Sequence, residues 1–304
     1  MPNIWTHILF CESVVDAVGK NHSFSQYENY MSLGAQGPDP FFYYNFWPWI
    51  KEEPVHNIGT ALHTSQCGTF LLDMIKAAKD NSNEVQAFVV GFVTHHVLDR
   101  NTHPYIHYRA GYDGNNHQRL EIQIDTLMME KYHNLKTWKT PVYKEIDVGR
   151  KLDHRLVSLL FHLINTNYPD FTRNDDTYIK KAYKDMLLAL KILADPTGIK
   201  NRLLGRLISA YSHQPIKDEV DYLNLQKTTW YHPATNEPCD KSFIELYSES
   251  RVEGIDIITE LFHYWDSGSS YSLEKLEDLI GDISYDTGKP LNLRLELQYS
   301  DPIV

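Results

Sequence analysis

Residues 94–107, THHVLDRNTHPYIH, place four histidines and one aspartate within fourteen positions. Imidazole nitrogens and carboxylate oxygens are the ligands that zinc and its neighbouring divalent metals prefer. His95 and Asp99 are four residues apart in a segment with helical periodicity, so both side chains are expected on one helix face. His103 follows four residues later, but Pro104 comes next, and we expect the helix to have ended there.

A second pair, His117 and Glu121, repeats the four-residue spacing, and Asp125 extends the same stripe by one turn. One such pair alone is most simply explained as a surface hydrogen bond on a helix. Two pairs within about thirty residues, both in apolar helical segments, favour a metal site. The reason is that several carboxylates buried without cations would be very costly.

The other histidines lack this pattern. His96 points about 100° away from His95 around the helix axis and is expected to pack or to make an outer hydrogen bond. The spacing leaves the role of His107 open. Histidines without ligand-like spacing are interpreted as structural, and they include His22, His133, His154, His162, His213, His232 and His263.

Composition excludes some partners. The 304-residue chain has a formal net charge of −11 and no run of lysine or arginine, which argues against duplex nucleic acid as a partner. Three scattered cysteines without CxxC spacing indicate neither a disulfide framework nor a cysteine zinc finger. The first residues, MPNIWTHILFCESVVDAVG, lack a basic leader, and no apolar run has the length of a membrane span. We therefore expect a cytoplasmic protein.

Helical periodicity predicts an all-α fold with one multi-helix domain over residues 1–283 and an extended tail over 284–304. In residues 291–299, LNLRLELQY, leucines alternate with polar residues, which is the period of a strand with one buried face. This strand either pairs with another chain or lies over the helices. The predicted helices cover residues 6–19, 60–80, 83–100, 116–134, 155–167, 176–195, 199–211, 242–265 and 272–282.

Several of these motifs, taken in order, resemble the zinc-dependent phospholipase C family, which is related in fold to the fungal single-strand-specific nucleases. They are Thr6-His7, LGAQGPDPFFY (33–43), ALH (61–63), GFVTHHVLDRNTHPYI (91–106) and HQRLE (117–121). The resemblance covers about the first 125 residues. It implies an all-helical phospholipase C/nuclease-like domain with a cluster of zinc ions in a cleft.

The resemblance also implies a ligand set. Asp39, His63, His95 and Asp99 would hold one Zn²⁺ ion, His103, His117 and Glu121 a second, and His7 a third, which Asp99 would bridge to the first. In the family, the amino group and carbonyl of an N-terminal tryptophan complete the third site. Here four residues precede Trp5, so that Met1 or Pro2 would have to supply the amine. Two or three Zn²⁺ ions per chain are therefore expected.

The activity implied is hydrolysis of a phosphodiester, of the phospholipase C type, with a metal-bound hydroxide attacking phosphorus and Asp39 assisting proton transfer. Bound cations would reconcile the acidic chain with an anionic substrate. The stretch FFYYNFWPW (41–49) could form core or a cleft wall. As a wall it would suit a quaternary ammonium headgroup through cation–π attraction, or a stacked nucleobase.

Two other functions compete with this hypothesis. One is a single-strand nuclease or nucleotidase that uses the same metal centre. The other is a non-catalytic lipid-binding protein whose metal cluster is structural. The expected partner is a phospholipid or another phosphodiester, with transient contact to a membrane surface, and the oligomeric state stays open.

Overall fold

Helices dominate the chain, and the all-α prediction is confirmed. The computed structural model describes residues 4–47, 49–50, 54–208 and 210–304, and the side chains of all of these except 21, 22, 206 and 207. Among these residues, no helix combines the length and the apolar composition needed to cross a bilayer. The helices are α1 (Ile4–Ala17), α2 (Asn21–Phe24), α3 (Glu28–Gly34), α4 (Pro54–Thr64), α5 (Cys67–Ala78), α6 (Asn83–Ala110), α7 (Asn116–His133), α8 (His154–Asn167), α9 (Thr177–Leu193), α10 (Ile199–Ile208), α11 (Phe243–Ser267) and α12 (Ser270–Ile280). Two short strands, β1 (Trp230–Tyr231) and β2 (Pro238–Cys239), pair antiparallel.

Helix α6 is the central element, and nearly all of its residues are buried, including polar and charged ones such as His95 and Asp99. It packs against α1, α3, α7 and α11. The prediction that this helix ends before Pro104 is wrong, because α6 continues to Ala110. Pro104 leaves the Arg100 carbonyl without its helical N–H donor, but burial of the surrounding turns outweighs that local cost.

The backbones of α3 and α6 approach closely at two glycines. A Cβ at Gly34 would lie 2.0 Å from the Phe88 carbonyl oxygen, and one at Gly91 would lie 2.1 Å from the Met31 carbonyl oxygen. Hence only glycine fits this contact. The close approach brings the segment after α3, which carries Asp39, across the His95 face of α6.

One predicted helix is in fact two. The periodic stretch 60–80 divides into α4, which ends at Thr64, and α5, which begins at Cys67. Gln66 between them has φ of 50°, in the left-handed region, and this turns the chain. His63 therefore lies in the last turn of α4, where it can reach across to α6.

The strand predicted over residues 291–299 does not form. Leu291–Leu293 is a 3-10 turn, and Arg294 has φ of 49°, which interrupts the extended run and the alternation with it. Leu293 is 55% exposed, and Leu291, Leu295 and Leu297 are only half-buried, so none of these leucines is fully buried. The segment lies over the rest of the chain, with the N–H groups of Asp301 and Ile303 donating to carbonyls at the end of α6. The domain boundary at 283/284 stays a prediction.

The close contact of α3 and α6 yields a first test. Gly91→Ala is expected to destabilise the protein by about 1–3 kcal/mol or more, because the added methyl overlaps the Met31 carbonyl. Gly205→Ala in α10 is the control, since nothing lies within 4 Å of its added methyl. It should stabilise by up to about 1 kcal/mol through helix propensity. Urea unfolding measures both, and equal changes in the two variants would contradict the packing.

Candidate metal centre

Asp99 lies at the middle of a group of buried histidines. Its Oδ1 is 3.2 Å from His7 Nε2 and 3.3 Å from His103 Nε2. Its Oδ2 is 3.0 Å from His95 Nε2 and 4.0 Å from His63 Nε2. All five side chains are almost fully buried. Four imidazoles from three different helices thus point at one carboxylate.

Helix α6 presents three of these groups on one face, since His95, Asp99 and His103 follow one another at four-residue steps. Outer hydrogen bonds hold two of the rings. His95 Nδ1 donates to the Ala35 carbonyl at 2.9 Å, and His63 Nδ1 donates to the Gly59 carbonyl at 2.8 Å. Each bond places the hydrogen on Nδ1 and leaves Nε2 as an acceptor directed into the centre.

Helix α1 brings in His7, and Asp125 holds that helix in place. The Asp125 carboxylate accepts hydrogen bonds from the backbone N–H groups of Trp5 and Thr6, at 3.1 and 2.8 Å, and from the Thr6 hydroxyl. These are N–H groups of the first turn of α1, which have no partner within the helix. His213 contacts the same carboxylate at 3.2 Å. Asp125 therefore acts as an anchor for the helix that carries His7.

Asp39 and Glu121 complete two further groups. Asp39, in the 3-10 turn Asp39–Tyr43, has its Oδ1 3.5 Å from His63 Nε2. Glu121 Oε1 on α7 lies 2.6 Å from His117 Nε2 and 3.8 Å from His103 Nε2. The structure thus brings together all eight side chains predicted from the sequence. Three of the groups that could hold a cation are His7–His95–Asp99, Asp39–His63–His95 and His103–His117–Glu121.

The separations fit cations held between the side chains. Zinc bonds of about 2.0–2.1 Å in tetrahedral geometry put neighbouring donor atoms about 3.2–3.5 Å apart. The separations of 3.2, 3.3 and 3.5 Å around Asp99 and Asp39 lie in this range, at or beyond the upper end of ordinary hydrogen-bond distances. Both Asp99 oxygens and the inward nitrogens of His7, His95 and His103 are buried without a hydrogen-bond partner among the described residues. Since orphaned buried polar atoms are costly, the donor set fits divalent metal.

The protonation states of His7 and His117 suit metal binding. Burial lowers the pKa of His7 to about 4, and the stacked His95 ring, 4.2 Å away, opposes a second charge. Burial also lowers the pKa of His117 well below its usual value. Neutral imidazoles are the form that binds metal.

The carboxyl groups differ from one another. Burial raises the pKa of Asp39 and of Glu121. Burial would raise the pKa of Asp99 as well, but neighbouring His103 and His95 bring it well below its usual range. Of these three groups, Asp99 is the one whose surroundings favour the carboxylate form.

Sequence reasoning missed one residue at this centre. Asp286, in the segment after α12, has its Oδ1 3.5 Å from both His103 Nδ1 and His107 Nε2. His107, whose role the spacing left open, thus belongs to a fourth group with His103 and Asp286. No local signal could have found Asp286, because it lies far along the chain in a stretch assigned to the tail.

A cleft with a volume of about 1180 Å³ opens onto the centre. His63, His103 and His117 form part of its lining. The aromatic stretch 41–49 divides between the two roles considered for it, because Phe41 is buried in the core whereas other members line the cleft. Those lining residues are Phe42, Tyr43, Phe46, Trp47 and Trp49.

Sequence comparison gives one clear result. A family model described as zinc-dependent phospholipase C matches residues 6–191, which include all eight predicted ligands. No curated protein and no solved structure gave a match. Asp286 lies outside the matched region.

The arrangement around Asp99 yields a second test. Asp99→Asn is expected to lower the zinc content of the protein and the stabilisation that zinc provides, because it removes the charge shared by several histidines. Zinc at a hundredfold excess over its dissociation constant stabilises by about 2.7 kcal/mol per site. Elemental analysis and thermal unfolding with and without chelator measure these quantities.

The matched control is Glu260→Gln, which changes a buried carboxylate paired with Lys275 at 2.5 Å, away from the centre. It should keep the zinc content of the parent protein. Unchanged zinc content in Asp99→Asn would refute the ligand assignment.

Proposed function

Because the chain belongs to the zinc-dependent phospholipase C family, we propose that it hydrolyses phosphodiesters at a centre of two or three Zn²⁺ ions. The observation that carries this proposal is the buried Asp99 carboxylate with its ring of inward imidazole nitrogens, directly beneath an open cleft. The residues that would hold the ions are His7, Asp39, His63, His95, Asp99, His103, His117 and Glu121. The terminal amine expected from Met1 or Pro2 lies outside the described residues.

Zinc ions bound there would lower the pKa of a coordinated water, neutralise phosphate oxygens and stabilise the leaving alkoxide. Side chains of the protein would accept the proton and line the site where the phosphate binds. Asp39 is buried and its pKa is raised, which suits a carboxylate that accepts a proton from the attacking water. His63, His103 and His117 line the cleft and would lie near the scissile phosphate.

The walls of the cleft support a phospholipid substrate. Among the described residues that line it there is no lysine or arginine, whereas polynucleotide grooves need such cations along the backbone. Its apolar members include Phe42, Trp138, Leu190 and Leu193. Such walls suit a neutral, apolar leaving group such as the acylglycerol part of a lipid.

The rim of the cleft supports transient contact with a membrane surface. Trp49 and Leu204 line the cleft and are 73% and 49% exposed, and Leu203 beside them is 76% exposed. Lys200 and Arg202 are exposed on the same helix, α10. Exposed apolar residues mixed with cations are typical of helices that bind at a lipid interface.

The competing functions make different predictions for one experiment. The zinc-loaded protein is incubated in parallel with phosphatidylcholine vesicles and with single-stranded DNA, and release of phosphorylated headgroup and of nucleotides is measured. Headgroup release supports the proposal, and nucleotide release alone would support the nuclease on the same centre. If neither of these substrates nor a chromogenic phosphodiester is hydrolysed, the result would favour the non-catalytic lipid-binding function.

Asp39→Asn tests the role in proton transfer. A lost general base typically costs about 10²–10⁴-fold in rate, so headgroup release should fall by that factor. Glu260→Gln serves again as control and should keep the parent rate. A rate within threefold of the parent in a zinc-loaded Asp39→Asn protein would contradict the role.

Leu203→Asp tests the rim. It should lower hydrolysis of vesicle-bound phospholipid at least tenfold and leave hydrolysis of a soluble short-chain diester unchanged, because a charge opposes insertion of the rim into lipid. Val252→Asp in α11 is the matched control, since Val252 is 63% exposed and lies outside the cleft lining. Equal rates on vesicles in both variants would exclude the rim from lipid contact.

A further inference from the structure

The outer nitrogens of the histidines in this centre have different acceptors. His63 and His95 donate from Nδ1 to the backbone carbonyls of Gly59 and Ala35. Such outer hydrogen bonds fix the tautomer of a metal-binding imidazole and orient the ring. The other two central rings, His7 and His103, have no hydrogen-bond partner at Nδ1 among the described residues.

The outer nitrogen of His103, Nδ1, faces the carboxylate of Asp286. Its Nε2 lies 3.3 Å from Asp99 Oδ1, facing the centre, and its Nδ1 lies 3.5 Å from Asp286 Oδ1. His103 is buried, and its Nδ1 has no hydrogen-bond partner among the described residues. The same Asp286 oxygen lies 3.5 Å from His107 Nε2. The Asp286 carboxylate thus lies between two imidazole rings on consecutive turns of α6.

We propose that Asp286 is the positioning carboxylate of the second zinc site, accepting the Nδ1 hydrogen of His103 so that His103 Nε2 binds the ion. A shift of about half an ångström would bring the pair into hydrogen-bond range. A carboxylate behind a ligand histidine also makes the ring a more basic donor than a carbonyl does. The inference rests on the proposed metal centre and names a residue outside the region of family resemblance.

The turn that carries Asp286 is held firmly against the centre. The N–H of Tyr285 donates to the His63 carbonyl at 3.1 Å, and the Tyr285 ring packs on His96 with centroids 4.5 Å apart. His96 in turn contacts the Ile283 carbonyl through Nε2 at 3.0 Å. Asp286 is therefore presented by a turn that is tied to both α4 and α6.

A glycine makes this docking close. A Cβ at Gly288 would lie 2.0 Å from the Arg100 carbonyl oxygen, the carbonyl that Pro104 leaves without a helical donor. The turn therefore packs directly on the backbone of α6, and the C-terminal segment contributes a wall to the second site.

The test uses the full-length protein and zinc alone. Asp286→Asn keeps the shape of the side chain and removes its charge. The affinity of one zinc ion should fall about 10- to 100-fold, measured by competition with a chromophoric chelator. The visible absorption of the cobalt-substituted protein should shift, since it reports the ligand field at the site. Asp286→Glu, which keeps the charge, should recover most of the affinity.

The matched control is Asp301→Asn, which removes another carboxylate from the same C-terminal segment. Asp301 pairs with Arg109 at 2.8 Å and is 66% exposed, away from the histidines. This variant should bind zinc as the parent protein does. If it loses affinity to the same extent as Asp286→Asn, the effect belongs to docking of the segment in general, and the proposal is overturned.

Thermal unfolding in chelator separates a structural role from the proposed one. The metal-free Asp286→Asn protein should unfold within a few degrees of the parent, because Asp286 is partly exposed and acts toward the ion. Parent-like zinc affinity and cobalt absorption in Asp286→Asn would overturn this inference alone. A parent protein that binds no zinc would instead overturn the proposed function.

Discussion

The structure depends on keeping a negative charge in a place where water cannot reach it. Asp99 is fully buried in the most buried helix of the protein, and burial by itself would neutralise its carboxyl group. Three neutral or partly charged imidazoles at 3.0–3.3 Å counter that tendency, but they leave donor and acceptor atoms unpaired. Divalent cations would meet both needs. They would supply positive charge to balance Asp99, and the lone pairs of the inward nitrogen and oxygen atoms would coordinate them.

Much of the surrounding fold can be understood as a means of holding donors at fixed positions. The glycine contact between α3 and α6 brings the Ala35 carbonyl to His95. Asp125 fastens the first turn of α1 and so places His7. These supports come from backbone groups and from an anchoring carboxylate, which do not themselves need to bind the metal. Supports of this kind hold the side chains in place without help from an ion, and such preorganisation favours affinity.

The cleft is lined by both titratable and apolar side chains. Histidines of the centre form part of its lining, where bound cations would reverse the sign of an otherwise acidic protein. Aromatic and aliphatic side chains form the walls and continue to the exposed rim. The proposed phospholipid substrate, with a phosphate at one end and an apolar body at the other, would match both kinds of lining. A polynucleotide, which carries charge along its whole length, would match only the histidines and their cations.

The sequence by itself determined the helical fold and the two pairs of ligands on α6 and α7. Side chains four residues apart on a helix must share a face, and this local rule needs no knowledge of the tertiary structure. Asp39 and His63 could be singled out only through their order in a family motif, because a turn aspartate and a helical histidine are ordinary features alone. Local rules failed at Pro104 and at residues 291–299, where packing and one left-handed residue decided the outcome.

Only the tertiary structure decided which side chains meet across long stretches of sequence. Asp125 has the spacing of a ligand but anchors α1, because its carboxylate accepts hydrogen bonds from the backbone N–H groups of Trp5 and Thr6. Asp286 has no such spacing, yet the packing of its turn against α4 and α6 brings it to His103. Spacing fixes the face of a helix on which a residue lies, whereas contacts between distant segments follow from how the faces pack.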